Sequence, residues 1–320
     1  MRTTITIIIL LCLCILSGTS FTSGTIDTKE DLGRKLFFDP ILSEDSTISC
    51  ASCHRPEFAF ADTARVSVGV HQRKGKRNSP SAMNLLIQEK FFWDGRADSL
   101  EQQALAPIEN PDEMNLSVDE ALRRLNNSKD YAQLFIRFYQ SGATRASLAN
   151  ALASFERTLE TSESPFDEWK ITDDSSLVSP AVMRGFDIFS TKGKCTNCHF
   201  GSNFTRNDFR NIGLFNGADL NDSGRAVITG NPVDIGKFKT PGLRNVALTA
   251  PYMHNGMFKT LKEVIEFYND PAKIVPDAIC RDSVLAKPLG LTELDMADLE
   301  AFLLSVTDKQ FTNTTAKSGK

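Results

Sequence analysis

Two pentads, Cys50-Ala-Ser-Cys53-His54 and Cys195-Thr-Asn-Cys198-His199, constrain this chain more than anything else in it. A Cys-x-x-Cys pair followed at once by His is the attachment signature of a c-type haem. Two thiols at that spacing each bond one vinyl-derived carbon of the porphyrin, and the adjacent imidazole faces the iron. A zinc site needs four ligands, and each pentad offers three, packed too tightly for one tetrahedron. A thioredoxin-like redox pair calls for a βαβ setting, which is missing here. The expectation is therefore two covalently bound haems, with Cys50, Cys53, Cys195 and Cys198 as thioether anchors and His54 and His199 as proximal iron ligands.

The first 24 residues read as an export signal: Arg2, an apolar run from Ile5 to Leu16, then small and polar residues. The run is shorter than the roughly 20 apolar residues that span a bilayer, and no later stretch matches it. The mature chain is expected to be soluble and periplasmic. Cys12 and Cys14 lie in the signal, which leaves Cys280 as a lone free thiol and excludes a disulfide framework. A net charge of −4 argues against nucleic acid as a partner. The basic run His71–Arg77 reads as a solvated loop.

Helical periodicity dominates the rest. Ser117 and Glu120 form a capping-box pattern ahead of Val118, Ala121, Leu122 and Leu125, and Thr260 and Glu263 form another. Leu148, Leu152, Phe155 and Leu159 make one stripe. Ser179 and Pro180 mark a helix start, and Leu294, Asp298, Leu299, Phe302 and Val306 share a face further on. No run alternates with period two. "GRKLF" (33–37) ahead of the first pentad is echoed by "GFDIF" (185–189) ahead of the second. The expected fold is all-α, with two cytochrome-c-like domains at 25–174 and 175–310 meeting in the polar stretch 172–180, and a disordered tail at 311–320.

"FFWDGRADSLEQQALAPIENPDEM" (91–114) and "FKTPGLRNVALTAPYMHNGMFKTLKEVIEFYN" (238–269) resemble the bacterial dihaem cytochrome c peroxidase family, which includes the dihaem methylamine-utilisation enzymes. The resemblance runs from about residue 28 to about residue 307. It implies a peroxidatic N-terminal haem and an electron-transfer C-terminal haem. By position it makes Glu113 the acid–base residue, Gln103 a lining residue of the same pocket, and Trp93 the relay between haems. It assigns Asn78, and more loosely Thr240, to a calcium ion between the domains. Hydrogen peroxide, a small cytochrome c or copper protein as electron donor, and a homodimeric state are further implications. Without the resemblance, Glu113 reads as a surface carboxylate in a Pro-Asp turn, Trp93 as a core aromatic, Gln103 as a helix-surface amide and Asn78 as a turn residue.

Two positions bear on the subtype. Peroxidase members carry a loop histidine that caps the first iron; here Val70 holds that register and His71 follows one place later, so His71 is expected not to ligate. The sixth ligand of the second iron is Met in those members and Tyr in the methylamine-utilisation branch; the matching residue is Tyr268, with Met253 and Met257 as competitors. A Met ligand raises the potential. Tyr268 lies on the apolar stripe of Leu261, Val264 and Ile265. His254 is expected at a haem propionate or the domain interface, and Trp169 as packing. The leading functional reading is a periplasmic dihaem peroxidase reducing hydrogen peroxide to water. The rivals are an enzyme that oxidises a protein side chain through high-valent haem, and a non-catalytic dihaem electron carrier.

Overall fold

The computed structural model describes residues 25–315; the expected export segment at 1–24 lies outside the described residues. Thirteen α-helices are described: α1 Lys29–Phe38, α2 Cys50–Cys53, α3 Leu100–Glu109, α4 Val118–Asn127, α5 Lys129–Tyr139, α6 Arg145–Glu156, α7 Pro165–Thr172, α8 Pro180–Ser190, α9 Ala226–Thr229, α10 Leu261–Asn269, α11 Pro271–Ile274, α12 Glu293–Ser305 and α13 Lys309–Thr315. The expectation of an all-α fold needs one correction. Strands β1 (Phe209–Arg210) and β2 (Phe238–Lys239) form a small antiparallel sheet with Phe209 opposite Lys239. Two-residue strands are too short for period-two alternation to register in a sequence.

Side-chain caps start most of the longer helices. Thr28, Ser99, Ser117, Thr144, Ser164, Ser179, Thr260 and Thr292 each accept the backbone N–H three residues on, worth about 1 kcal/mol apiece. The box at Thr260 and Glu263 closes in both directions. At Ser117 only half forms: Glu120 turns instead to Arg123 and Arg124, at 2.6 and 3.1 Å. Leu148, Leu152 and Phe155 of α6 are buried as expected, and so is Leu159, three residues past the helix end. In α12 Leu299, Phe302 and Val306 are buried, but Leu294, in the first turn, is 64% exposed. Asp298 is buried in a two-pronged pair with Arg184 at 2.6 and 2.7 Å.

The sequence echo is one helix crossing used twice. A Cβ on Gly33 of α1 would lie 1.9 Å from the Ala151 carbonyl oxygen and 2.9 Å from Phe155 Cβ of α6. A Cβ on Gly185 of α8 would lie 1.9 Å from the Asp298 carbonyl oxygen and 2.9 Å from Phe302 Cβ of α12. Each crossing brings two backbones into contact ahead of a pentad, and each roots an apolar cluster. The first cluster is built from residues between Leu32 and Leu159, the second from residues between Phe166 and Val306. Phe166 and Trp169 of α7 pack with Phe186 and Phe302 of the second cluster. Apolar packing thus changes partner between Leu159 and Phe166.

Buried amides join the halves. Asn84 and Thr161 exchange hydrogen bonds at 2.9 Å, Asn245 donates to Thr161 Oγ1 at 2.9 Å, and Asn203 donates to the Asn84 carbonyl at 3.2 Å. The Asp308 N–H donates to Asn245 Oδ1. At the start of the expected tail the Asp308 carboxylate accepts from the N–H groups of Gln310 and Glu163, the chain continues as α13 to Thr315, and Phe311 packs on the first cluster; the rest of that tail, 316–320, lies outside the described residues. Among the described residues no helix is long and apolar enough to cross a membrane.

The crossings are testable. Gly33→Ala and Gly185→Ala each push a methyl into a backbone carbonyl, and each is expected to cost at least about 1–3 kcal/mol, read as a fall in the urea midpoint without loss of haem content.

Candidate functional site

One cavity of about 1140 Å³ is lined by both pentads: Cys50, Cys53, His54, Cys195, Cys198 and His199 all face it. Pockets for a single small ligand run roughly 300–1,000 Å³, so this one exceeds the usual size for one guest. Ser49 caps the short helix α2 that carries the first thiols, and a 3-10 turn, Cys195–Asn197, carries the second pair. His54 Nδ1 lies 3.1 Å from the Phe60 carbonyl, and His199 Nδ1 lies 2.9 Å from the Phe204 carbonyl. Phe60 and Phe204 have matching left-handed backbones, φ +55° and +52°. A carbonyl on Nδ1 fixes the ring and leaves Nε2, on the opposite edge, as the free ligating nitrogen. Burial lowers the pKa of both imidazoles and keeps them neutral, as metal ligation requires. The four pentad thiols are free, so none is withheld from thioether formation by a disulfide.

The cavity wall also fits the group in charge. Lys239 faces the cavity with the Gln88 side-chain carbonyl as its one hydrogen-bond partner and no carboxylate paired with it among the described residues. Burial alone lowers its pKa to about 8. A confined ammonium beside a neutral amide is a ready partner for an anionic substituent such as a haem propionate.

Glu113 lines the cavity beside Gln103 and Pro107. Burial raises its pKa, against the opposing hydrogen bond from Asn110 Nδ2 to Glu113 Oε1 at 2.7 Å. Its turn faces inward, contrary to the surface reading from residue types alone. Trp93 Nε1 donates to the Asn78 carbonyl at 2.8 Å, and the Trp93 carbonyl accepts from Lys239 N at 2.7 Å, so both halves of the chain grip it. Its ring meets His254 edge-on at 6.5 Å. His254 is buried, stacks on Phe238 at 3.6 Å and faces the same cavity; burial lowers its pKa. Asn78 is buried, with its amide donating to the Ala64 carbonyl and its N–H to the His254 carbonyl. Thr240 Oγ1 donates to Asp208 at 2.7 Å and its carbonyl accepts from Thr205, so both of its oxygens have protein partners.

His71 lies outside the cavity lining. It is exposed on a hairpin tip, φ +57°, with Nε2 2.9 Å from Glu44 Oε2. Tyr268 lies in the wall at the second pentad, where burial raises its phenol pKa and Cys198 and Cys195 are its electrostatic neighbours. Met253 lines the cavity; Met257 does not, and its sulfur accepts from Asn255 at 3.7 Å.

Two wall residues escape a reading of residue types. Lys239 sits in a two-residue strand that carries no pattern. Glu156 had a signal, since it lies four residues after Leu152 on the buried face of α6.

The chain belongs to the di-haem cytochrome c peroxidase family, whose model matches residues 27–176. It is 40% identical over 281 residues to the methylamine utilization protein MauG of Methylorubrum extorquens, covering 86% of this chain and 77% of that protein. It is 34% identical over 292 residues to the cytochrome c551 peroxidase of Pseudomonas aeruginosa, covering 89% of this chain and 80% of that one. Among solved structures it resembles a MauG-like protein associated with microbial copper homeostasis, with a TM-score of 0.80, 31% identity, and 90% and 91% of the two chains covered. The protein is therefore an oxidoreductase, and its family implies two c-type haems.

Lys239→Met is expected to lower a haem midpoint potential, because removing a nearby cation disfavours the reduced, more negative state. Potentiometric titration of the purified holoprotein reads the shift.

Proposed function

We propose that this protein is a periplasmic peroxidase that reduces hydrogen peroxide to water with electrons from a small redox protein, a cytochrome c or a copper protein. The observation that carries the reading is Glu113, a half-buried carboxyl with a raised pKa in the wall of a cavity that holds both haem-attachment pentads. Bound c-type haems, held at Cys50, Cys53 and His54 and at Cys195, Cys198 and His199, would supply the redox chemistry. Asn110 ties up Glu113 Oε1, which leaves Oε2 to take the proton from one peroxide oxygen and return it to the departing one. Gln103, in the same wall, is placed to hold the peroxide by its side-chain amide. Trp93, gripped from both halves, is the proposed relay between the sites.

Each half of the chain would then be one cytochrome-c-like haem domain, with α7 packed on the second. A calcium ion at Asn78 is part of the proposal. Among the described residues no cluster of three or more His, Cys, Asp or Glu could hold a metal, so calcium there would rely on amide and carbonyl oxygens and water, as its chemistry allows. Homodimerisation also belongs to this reading.

A second reading has one observation behind it. Tyr268 stands in the wall beside Cys195 and Cys198, at the position where the resemblance puts a methionine in the peroxidase members. Burial favours the neutral phenol, and only a cation next to it would release that proton. A hard anionic ligand stabilises an oxidised metal, which suits the side-chain oxidation implied by the methylamine-utilisation relatives.

The two readings separate on mixing peroxide with the diferric protein: turnover that requires a reduced donor protein supports the first, and a long-lived oxidised species without donor supports the second. Under the first, Glu113→Gln lowers turnover by about 10²–10⁴-fold. Glu113 must be ionised to act as base, and its pKa is raised, so the wild-type rate climbs with pH through a pKa above the ordinary Glu value of 4.5. The variant loses that limb.

A further inference from the structure

Glu156 is the one acidic side chain of α6 that faces the cavity. It is 6% exposed, and among the described residues its carboxylate has neither a hydrogen-bond partner nor an ion pair. It is absent from the few buried polar atoms sealed off without partners, so its oxygens are open to the cavity rather than to packed protein. It is also the strongest electrostatic neighbour of the Cys50 thiol, which places it at the first attachment site. The charged groups bearing on it are Arg157, which follows it at the C-terminal cap of α6, and Glu101 of α3. Those two neutralise one another in a two-pronged pair at 2.7 and 3.0 Å. Glu113 bears on Cys50 but not on Glu156.

At such a place an uncompensated carboxyl is held toward the neutral acid. Burial lifts its pKa to about 8. Nothing in the packing of α6 calls for an acid here: Ala151, Leu152, Ala153 and Phe155 around it are apolar and buried. An apolar residue would fill the position without the desolvation cost. What the carboxyl adds is a proton held beside the first haem site.

We infer that Glu156 is the proton-holding group of the first haem site, binding a proton as an electron arrives there and giving it up as the electron leaves. This rests on the peroxidase reading for its purpose. Reducing hydrogen peroxide to two waters consumes two electrons and two protons; Glu113 only moves a proton already on the peroxide, so net protons must come from elsewhere. Glu156 supplies one with each electron and is refilled from solvent when the donor protein returns the next, so the two electrons of one turnover bring both protons. The coupling is reciprocal: if an added electron tightens the proton, deprotonating Glu156 must lower the affinity for the electron.

The test is an equilibrium measurement and needs no turnover. Redox titration of the holoprotein at a series of pH values reads the midpoint potential of the first haem. In the wild type the potential is expected to fall as pH rises between about 7 and 9, around a pKa near 8, with proton uptake on reduction. In Glu156→Gln, checked for full haem content, the slope is lost; in Glu156→Asp a slope remains, centred at a different pH. An unchanged slope in Glu156→Gln overturns the assignment, as does loss of the slope in both variants, which would mark a structural effect. If Glu156→Gln fails to load haem, Glu156→Asp decides alone: a displaced slope supports the assignment and an identical profile overturns it. Peroxide turnover is assayed separately, so an inactive wild type with an intact Glu156-dependent slope would sink the peroxidase reading and leave this assignment standing.

Discussion

Two backbone contacts organise this molecule. Gly33 lets α1 rest against the main chain of α6, and Gly185 lets α8 rest against that of α12. A side chain at either position would drive the helices apart, since a Cβ would sit far inside contact distance of a carbonyl oxygen. Each crossing holds a helix ahead of a Cys-x-x-Cys-His pentad, and each supports a phenylalanine cluster that backs the pentad: Phe37, Phe60 and Phe155 in the first half, Phe189, Phe204 and Phe302 in the second. The same device used twice gives two attachment sites of the same build. In both, a left-handed phenylalanine turns its carbonyl onto the imidazole Nδ1.

Against that common frame the sites differ in what else they present. The first has Glu113, Gln103 and Glu156, carboxyl and amide groups that can hold and move protons. The second has Tyr268 with Met253 and a surround of Leu261, Val264 and Ile265. A proton-bearing wall suits chemistry on a small oxygenated substrate, and an apolar wall suits electron traffic. Trp93, Lys239, His254 and Phe238 lie where the halves meet. The buried amides Asn84, Asn203 and Asn245, with Thr161, lock those halves in register at the cost of specific, fully paired polar groups.

The sequence makes legible what is local and chemically singular. The pentads name the cofactor because few arrangements of Cys and His permit anything else, and the caps at Thr260 and Ser179 mark helix starts because the orphan N–H groups there need an acceptor. The paired glycines are visible as an echo, though only the structure shows that they serve a crossing. Less legible is anything set by tertiary packing. Glu113 reads as a surface acid until its turn is seen to face inward, Leu294 reads as core until α12 is seen to leave it in solvent, and residues 311–315 read as disordered until Asp308 is seen to cap α13. The inward direction of Glu156 is half-legible from its register with Leu152, but its lack of a partner is not.

The account rests on the two irons being unlike: the first with an accessible face in a proton-bearing pocket, the second closed by a ligand from the protein. Electron paramagnetic resonance of the resting, fully oxidised protein tests this most directly. One high-spin and one low-spin ferric signal of equal weight are the predicted result. Two low-spin signals, with both irons closed, would contradict it.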